Sequence, residues 1–303
     1  MLQVRSVRPD ESGLLSYILR LIDGEKWRVC SNTCECLLLI DPTSVFVGEL
    51  NGKPIGSVVF LKYGESYCFV STFIIDPEYR GNGYGKQLFN TAMKAASPPP
   101  SMALCSVDAM VPNYKRLGFE PLWRLNGYDV EVKVALLQTL KREFTTSSYH
   151  AETVDESKND VIINYDTKVF GHERKDFLKY FIRSCNGLAR MASDSGGSIV
   201  GYLATREAYN KEYGYVVGPL YADSIDVAAV LLISIVEAIL DSGSQEVAPR
   251  ICMLSPVGGN PEAKRLIDLM GGELQESDTF CATNGKLQGC VRKWFAITGG
   301  NLG

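Results

Sequence analysis

Between Phe69 and Leu88 the chain gathers residue types that can hold linked phosphates. An apolar stretch, Phe69 to Ile75, ends at Asp76-Pro77. Arg80-Gly81-Asn82-Gly83-Tyr84-Gly85-Lys86 follows, and an amphipathic segment reaching Ala96 begins inside that run. Glycine tolerates φ above zero and lets a ligand approach the main chain. Successive N–H groups can then converge on one concavity, to which a helix N-terminus adds its positive end. Arg80 and Lys86 offer countercharge, so the chemistry is that of a pyrophosphate cradle. The run has no Gly-Lys-Ser/Thr. It follows a third or fourth strand rather than the first, which fits neither a P-loop NTPase nor a dinucleotide fold.

The rest of the composition narrows the function classes. The chain has 303 residues, 46% hydrophobic and 22% charged, the balance of a folded chain with room for two domains. A net charge of −4 gives no general attraction to nucleic acid or anionic membrane. Nine cysteines follow no framework spacing. Cys30, Cys34 and Cys36 lack a second ligand pair, and His150 and His172 are remote, so no metal site is expected. Reduced thiols, with no signal peptide at the N-terminus, point to the cytoplasm. The longest apolar run, Val227 to Leu240, is interrupted by Ser234 and Glu237 and falls short of the roughly 20 residues that span a bilayer.

The elements that must position the glycine run follow from periodicity and punctuation. Leu2 to Val7 reads as a strand and the segment from Asp10 to Ile22 as a helix. Ser44 to Glu49 and Lys53 to Phe60 form a hairpin about Asn51-Gly52, and Ser66 to Ile75 is a third strand. A helix from Gly83 to Ala96 stops at Ser97-Pro98-Pro99-Pro100. Met102 to Val107 is a strand, Met110 to Leu117 a short helix, Phe119 to Val132 a strand and Val134 to Phe144 a helical connector. The polar stretch Thr145 to Asn159 reads as a linker. The same order then recurs: a strand at Asp160 to Asn164, a helix at Lys175 to Cys185, strands at Leu188 to Ser193, Ser198 to Thr205 and Tyr213 to Gly218, a helix at Asp226 to Leu240, a strand at Arg250 to Leu254, a helix at Pro261 to Met270 and a closing strand at Leu287 to Ile297. The repetition predicts a duplicated fold. The fold class is α/β (α+β), with tandem domains at 1–144 and 145–303, each a mixed, mostly antiparallel sheet flanked by helices.

Arg80-Gly81-Asn82-Gly83-Tyr84-Gly85, preceded by Ile74-Ile75-Asp76-Pro77-Glu78-Tyr79, resembles the Arg/Gln-x-x-Gly-x-Gly/Ala signature of GNAT N-acetyltransferases. Tyr114-Lys115-Arg116-Leu117-Gly118-Phe119 is similar to that family's later Tyr-x-x-x-Gly-Phe motif. The resemblance implies acetyl-CoA as acyl donor, its pyrophosphate on the amides of Gly81 to Lys86 and its pantetheine arm along Phe73, Ile74 and Ile75. An amide near Phe73 would polarise the acyl carbonyl, and Tyr114 would return a proton to the leaving thiolate. Where many members carry Asn, this chain has Val107, with Asp108 beside it. Aminolysis of a thioester needs a neutral amine and hence a proton acceptor. Glu49, Asp108 and Glu65 are the candidates, and no Ser or Cys is arranged for covalent catalysis.

Gly218-Pro219-Leu220-Tyr221-Ala222-Asp223 resembles a segment of the C-terminal domain of two-domain, YitH-type acetyltransferases. Trp27, Tyr165-Asp166, Phe170, Arg174 and Phe295-Ala296-Ile297-Thr298 agree with it. The second half has no Arg-x-x-Gly-x-Gly, so it is expected to wall the acceptor pocket with Arg206, Tyr221 and Asp223 rather than to hold acetyl-CoA. The function implied is acetyl transfer to a primary amine of a small molecule by direct attack in a ternary complex. A non-catalytic acyl-CoA-binding module on the same fold is the alternative.

Overall fold

A computed structural model of the chain describes residues 1–144, 148–243, 246–284 and 289–303. The first half runs β1 (Leu2–Ser6), α1 (Ser12–Gly24), α2 (Thr33–Ile40), β2 (Val45–Leu50), β3 (Lys53–Tyr63), β4 (Tyr67–Ile75), α3 (Tyr84–Ala96), β5 (Met102–Val107), α4 (Val111–Arg116) and β6 (Phe119–Glu131), and α5 (Val134–Glu143) leads out of it. The second half repeats that order: β7 (Tyr149–Thr153), α6 (Asn159–Phe170), α7 (Lys175–Arg183), β8 (Ala189–Asp194), β9 (Ile199–Glu207), β10 (Tyr215–Ala222), α8 (Ile225–Ser242), β11 (Arg250–Ser255), α9 (Pro261–Leu269) and β12 (Glu273–Thr283). A short strand outside the repeat, β13 (Trp294–Ala296), follows.

Local chemistry accounts for the key turns. Asn51 and Gly52 take φ of 53° and 76°, the left-handed pair that a two-residue hairpin requires. Ser224 caps α8 by accepting from the Val227 amide at 3.3 Å. That helix is apolar nearly all round and is buried accordingly. Side chains alternate across the sheet: Val59, Leu61 and Tyr63 join the core beneath α1, α2, α6 and α7, whereas Val58 and Phe60 join the core beneath α3. Among the described residues no helix is long and apolar enough to cross a membrane.

The two halves share one sheet, ordered β1-β2-β3-β4-β5-β12-β6-β11-β10-β9-β8-β7, which reads the same from either edge. Each half gives its last long strand to the other. β12 pairs antiparallel with β5 (Asp278 opposite Val107, Ala282 opposite Ala103), and β6 pairs antiparallel with β11 (Ile251 opposite Val130). Each half also has one parallel pair that parts midway. β4 and β5 are paired from Cys68–Met102 to Val70–Leu104, and β10 and β11 from Tyr215–Ile251 to Val217–Met253. Beyond those rungs a wedge opens. In the second half β13 fills it: Leu220 and Tyr221 face Ala296 and Trp294, the Ile297 amide donates to Leu254 O at 2.9 Å, and Ser255 Oγ donates to Phe295 O at 2.7 Å. A side chain at Gly218 would lie 2.2 Å from Ile297 O, so glycine is required there. Among the described residues the first wedge has no such strand.

Several expectations change. Val161-Ile162-Ile163, read as strand, lies in α6, because Ile162, Tyr165, Asp166, Val169 and Phe170 recur at helical spacing and are buried together. α2 was not anticipated. The stretch read as a linker holds β7, paired with β8 from Tyr149–Asp194 to Thr153–Arg190, and Asn159 already starts α6; residues 145–147 lie outside those described. Of the closing strand expected at Leu287 to Ile297, Leu287 and Gln288 lie outside the described residues and only Trp294–Ala296 is strand. The counterpart of β6 is β12 instead.

An ion pair with no exposed side-chain surface ties this arrangement together. Arg174 Nε and Nη2 donate to the two Asp166 oxygens at 2.9 and 2.8 Å, Arg174 Nη1 donates to Thr298 Oγ1 at 2.8 Å, and Tyr202 OH donates to Asp166 at 2.5 Å. The guanidinium lies 3.9 Å over the Phe170 ring. Replacing one partner strands the other charge in a medium that cannot solvate it. Arg174→Met is therefore expected to lower the unfolding free energy by about 3–5 kcal/mol, read in denaturant melts.

Candidate active site

The first wedge is shaped by a bulge in β4. Ser57 faces Ile74 and Val59 faces Ser71, so Val58 opposes both Thr72 and Phe73; Thr72 takes φ of 49°. Ser57 Oγ donates to Thr72 O at 3.1 Å and fixes the distortion. A side chain at Gly56 would lie 2.6 Å from Ile74 O, so glycine is needed for β3 to follow the bent strand. A bulge takes backbone groups out of the ladder, here Phe73 to Ile75 at the edge of the wedge. Asp76 then accepts from the Glu78 amide at 3.3 Å and starts the turn Pro77–Tyr79. Arg80 Nε donates to Ile75 O at 2.7 Å, and its Nη2 pairs with Glu25. Gly81 and Gly83 take φ of 80° and 77°, and Gly83 is the N-cap of α3 with no side chain bonded to the first-turn amides.

These groups open onto a cavity of roughly 510 Å³. Of the residues expected to hold a CoA donor, Phe73, Ile74, Ile75, Arg80, Gly81, Gly83, Tyr84 and Gly85 line it. Asn82 and Lys86 do not. Asn82 Nδ2 donates back to Tyr79 O at 3.3 Å and Arg80 O at 3.1 Å, which holds the loop's shape, and Lys86 is exposed on α3. Tyr114 lines the cavity, its ring packed beside Phe89 and Phe119 at 6.3 and 5.9 Å. Burial pushes its hydroxyl well above the usual tyrosine range, so it stays protonated.

The carboxylates singled out as bases lie elsewhere. Glu49 is held by Arg5 at 3.0 Å on β2. Asp108 is exposed, pairs with Arg124 at 2.5 Å and accepts from Thr279; the Arg124 hydrogen bond holds it below the usual carboxylate range. Glu65 is exposed in the β3–β4 turn. None of the three lines the cavity. The residues expected to wall the acceptor pocket are also outside it. Arg206 is buried under α2, donating to Asn32 at 2.8 Å and lying 3.9 Å over the Phe181 ring. Tyr221 is fully buried between Tyr202 and Trp294. Asp223 accepts from Tyr165 OH at 2.7 Å and Lys293 Nζ at 2.8 Å at the surface. Instead of walling the acceptor pocket, Tyr221 packs against Trp294 of β13, which fills the second wedge, and Arg206 ties β9 to α2.

The second half reaches the cavity by another route. Glu276 and Asp278 on β12 and Asp129 on β6 line it. Asp278 faces Leu125 and Glu276 faces Gly127, so with Asp129 the three carboxylates stand on alternate rungs of one face. A side chain at Gly127 would lie 2.5 Å from Glu276 Cγ, so the glycine seats that carboxylate across β6. Burial, then the neighbouring Asp278, raises Glu276 to about 7. Burial raises Asp278 to about 6 against the opposing pull of Arg124. Among the described residues neither carboxylate is in an ion pair, whereas Asp129 is met by Arg28 at 3.2 Å. The segment after β13 supplies Gly299, Gly300 and Asn301 to the cavity wall. Ser71 Oγ donates to Asn301 O at 3.1 Å, and Asn301 Nδ2 is a buried donor without a partner.

Comparison with known proteins agrees with this architecture. Residues 15–119 match the model of the acetyltransferase (GNAT) family, and residues 162–243 match a second acetyltransferase (GNAT) domain. Holothin acyltransferase of Pseudoalteromonas sp. (strain SANK 73390) is 26% identical over 202 residues, 66% of this chain; the match spans 64% of that enzyme, less than two thirds of its length. A putative acetyltransferase of Pyrococcus horikoshii superposes with a TM-score of 0.75 at 17% identity, over 100% of this chain and 96% of its own. A tandem GNAT protein from the clavulanic acid biosynthesis pathway superposes with a TM-score of 0.65 at 13% identity, over 94% of this chain and 99% of its own. Two matched units repeating one element order within one sheet thus make this chain a tandem member of the GNAT acetyltransferase family.

Proposed function

We propose that the chain transfers an acyl group, acetyl in the simplest case, from a CoA thioester to the primary amine of a small molecule by direct attack while both are bound. The observation that carries this reading is one cavity lined by a glycine-rich helix N-terminus, by Tyr114 and by two carboxylates without ion-pair partners. The residues fit the donor. Positive φ at Gly81 and Gly83 turns the loop, the first-turn amides of α3 are uncapped, and β4 past Val70 has no β5 partner. Gly81 to Gly85 would hold the pyrophosphate and Phe73 to Ile75 the pantetheine amides. When bound, the thioester supplies an acyl group already activated towards nitrogen.

The chain's own residues manage position and protons. Asp278 lies on the rung beside Val107, where β5 ends, and takes one proton from the entering ammonium. The C–N bond forms as the C–S bond breaks, and Tyr114 gives its hydroxyl proton to the departing sulfur. The second proton lost by nitrogen restores Tyr114, so one proton per turnover leaves through Asp278. Juxtaposition in the cavity supplies much of the rate, and Asn301 Nδ2 offers a further donor to bound polar groups.

Three outcomes are expected. First, kcat/KM rises with pH and levels off above about pH 7, following the coupled pair Glu276 and Asp278. Asp278→Asn removes that limb and lowers kcat by about 100-fold or more, while calorimetric binding of acetyl-CoA persists; Tyr114→Phe likewise keeps binding and loses turnover. Acetyl-CoA uptake with no turnover of any amine, in the unmodified protein, would leave a binding module and end the enzyme reading. Second, both carboxyls hold protons more tightly folded than unfolded, so they contribute a loss of stability as pH climbs from about 4 to about 7. Glu276→Gln is expected to melt higher than the unmodified protein at pH 8 and no higher at pH 4. Third, Gly127→Ala pushes the Glu276 carboxylate off its seat without touching the glycine loop, which is expected to raise the KM for amine and leave the affinity for acetyl-CoA within about 2-fold, since only direct contacts change binding appreciably.

A further inference from the structure

Resting on the acyl-transfer reading, we infer that the acceptor is a diamine: an aliphatic chain whose reacting nitrogen meets Asp278 and whose second ammonium is held by Glu276 and Asp129. The charges of the cavity carry this. Arg80 is matched by Glu25 and Arg28 by Asp129. Glu276 and Asp278 are left over. Proton removal from the attacking nitrogen employs one of them; the other, half-buried Glu276, stays without an ion-pair partner among the described residues unless the acceptor brings a second cation. Arg28 in the cavity wall and Arg124 outside it pull on Glu276 and Asp278 respectively, but from beyond ion-pair distance. Arg124 is held by Asp108, Ser277 and Thr279, and Arg250 pairs with Asp129 at 3.7 Å and acts on Glu131 as well.

A second observation points the same way. Asp129 has 7% of its side chain exposed, yet among the described residues its Oδ1 accepts no hydrogen bond, the neighbouring Cys252 thiol donating to Tyr213 O at 3.1 Å. A buried acceptor left unpaired is costly, and an ammonium group supplies the missing donor. An amino-acid acceptor fits less well, because Arg28 is already engaged. It donates to Lys26 O at 2.9 Å, Asp129 at 3.2 Å and Gln275 at 3.3 Å, and lies 4.7 Å over the Tyr213 ring. Of its nitrogens only Nε, buried and without a partner among the described residues, is uncommitted, one donor where a carboxylate clamp takes two. Alternate rungs of a strand stand roughly 7 Å apart, which suits two nitrogens separated by a few methylene groups. Val217, Met253, Leu254 and Ile297 give that chain an apolar wall.

The test is CoA release from acetyl-CoA with diaminobutane, butylamine and lysine. Diaminobutane is expected to exceed both others in kcat/KM by about 30-fold or more, the scale of a buried charge pair made or lost. Glu276→Gln is expected to bring the ratio of diaminobutane to butylamine to within about 3-fold. Should that variant misfold, Asp129→Asn and the unmodified protein answer the same question. With CoA bound, calorimetry near pH 6.5 in buffers of different ionisation enthalpy is expected to show proton release on adding diaminobutane, as Glu276 and Asp278 give up protons to meet the ammonium groups. Equal efficiency for butylamine or lysine, or diaminobutane binding without proton release, overturns the diamine while leaving acyl transfer intact. No turnover with any of the three amines, despite acetyl-CoA uptake, removes both.

Discussion

The exchange of β6 and β12 is the constraint on which the molecule depends. β5 and β11 each finish a half's parallel pair and present an open edge of backbone donors and acceptors, which a buried sheet cannot leave unpaired. Each edge is covered only by the strand from the other half: Asp278 to Ala282 along β5, and Val130 to Asn126 along β11. The two GNAT domains therefore share one sheet, each completing the other's edge. The candidate site inherits this directly. The glycine loop and Tyr114 belong to the first half, and the carboxylates beside the end of β5 arrive on the strand that closes its edge.

Duplication creates two wedges, and the chain treats them differently. Trp294 to Ile297 enter the second wedge as an extra strand, which Gly218 admits because a side chain there would strike Ile297 O. The segment then continues into the wall of the first wedge. Thr298 is fixed by Arg174, Asn301 O accepts from Ser71 and Leu302 O accepts from Tyr63. Filling one wedge thus helps to shape the other. The missing glycine signature in the second half has a structural counterpart: the space in which a donor would lie is occupied by the chain itself.

What could be read in the sequence was whatever is local. Gly81 and Gly83 announce left-handed φ by their residue type, and Tyr114 sits at a fixed distance from Gly118-Phe119 in a motif of its own. The repeated element order was visible for the same reason. The carboxylates were not, because their function comes from pairing between distant segments. Between the helix expected to end at Met270 and the strand expected from Leu287, no element was assigned. Yet Glu276, Asp278, Phe280 and Ala282 alternate with Ser277, Thr279, Cys281 and Thr283 as a strand must. The signal was present but inverted, since charges on an alternating strand are taken to face water, and here they share a face with the buried Phe280 and Ala282. Arg206, Tyr221 and Asp223 failed for a related reason. They were expected to wall the acceptor pocket, and nothing in the residues themselves discloses that Tyr221 is covered by Trp294 of β13, that Asp223 is held by Tyr165 and Lys293, or that Arg206 lies under α2.

Withdrawing Glu276 and Asp278 from water is unfavourable for the ionised forms, and both are pushed upward for that reason. A purely structural strand would carry apolar residues at these rungs, as β12 does at Phe280 and Ala282. The sheet tolerates the charged pair because protonation relieves it when nothing is bound, and because the long pairing of β12 with both β5 and β6 holds the strand in register regardless. A cation entering the cavity reverses the balance. It would stabilise the ionised carboxylates, and in the proposed reaction ionisation would ready one of them to take a proton from nitrogen. Acceptor binding and base activation would then be a single electrostatic event, arranged by a strand that belongs to the other half of the chain.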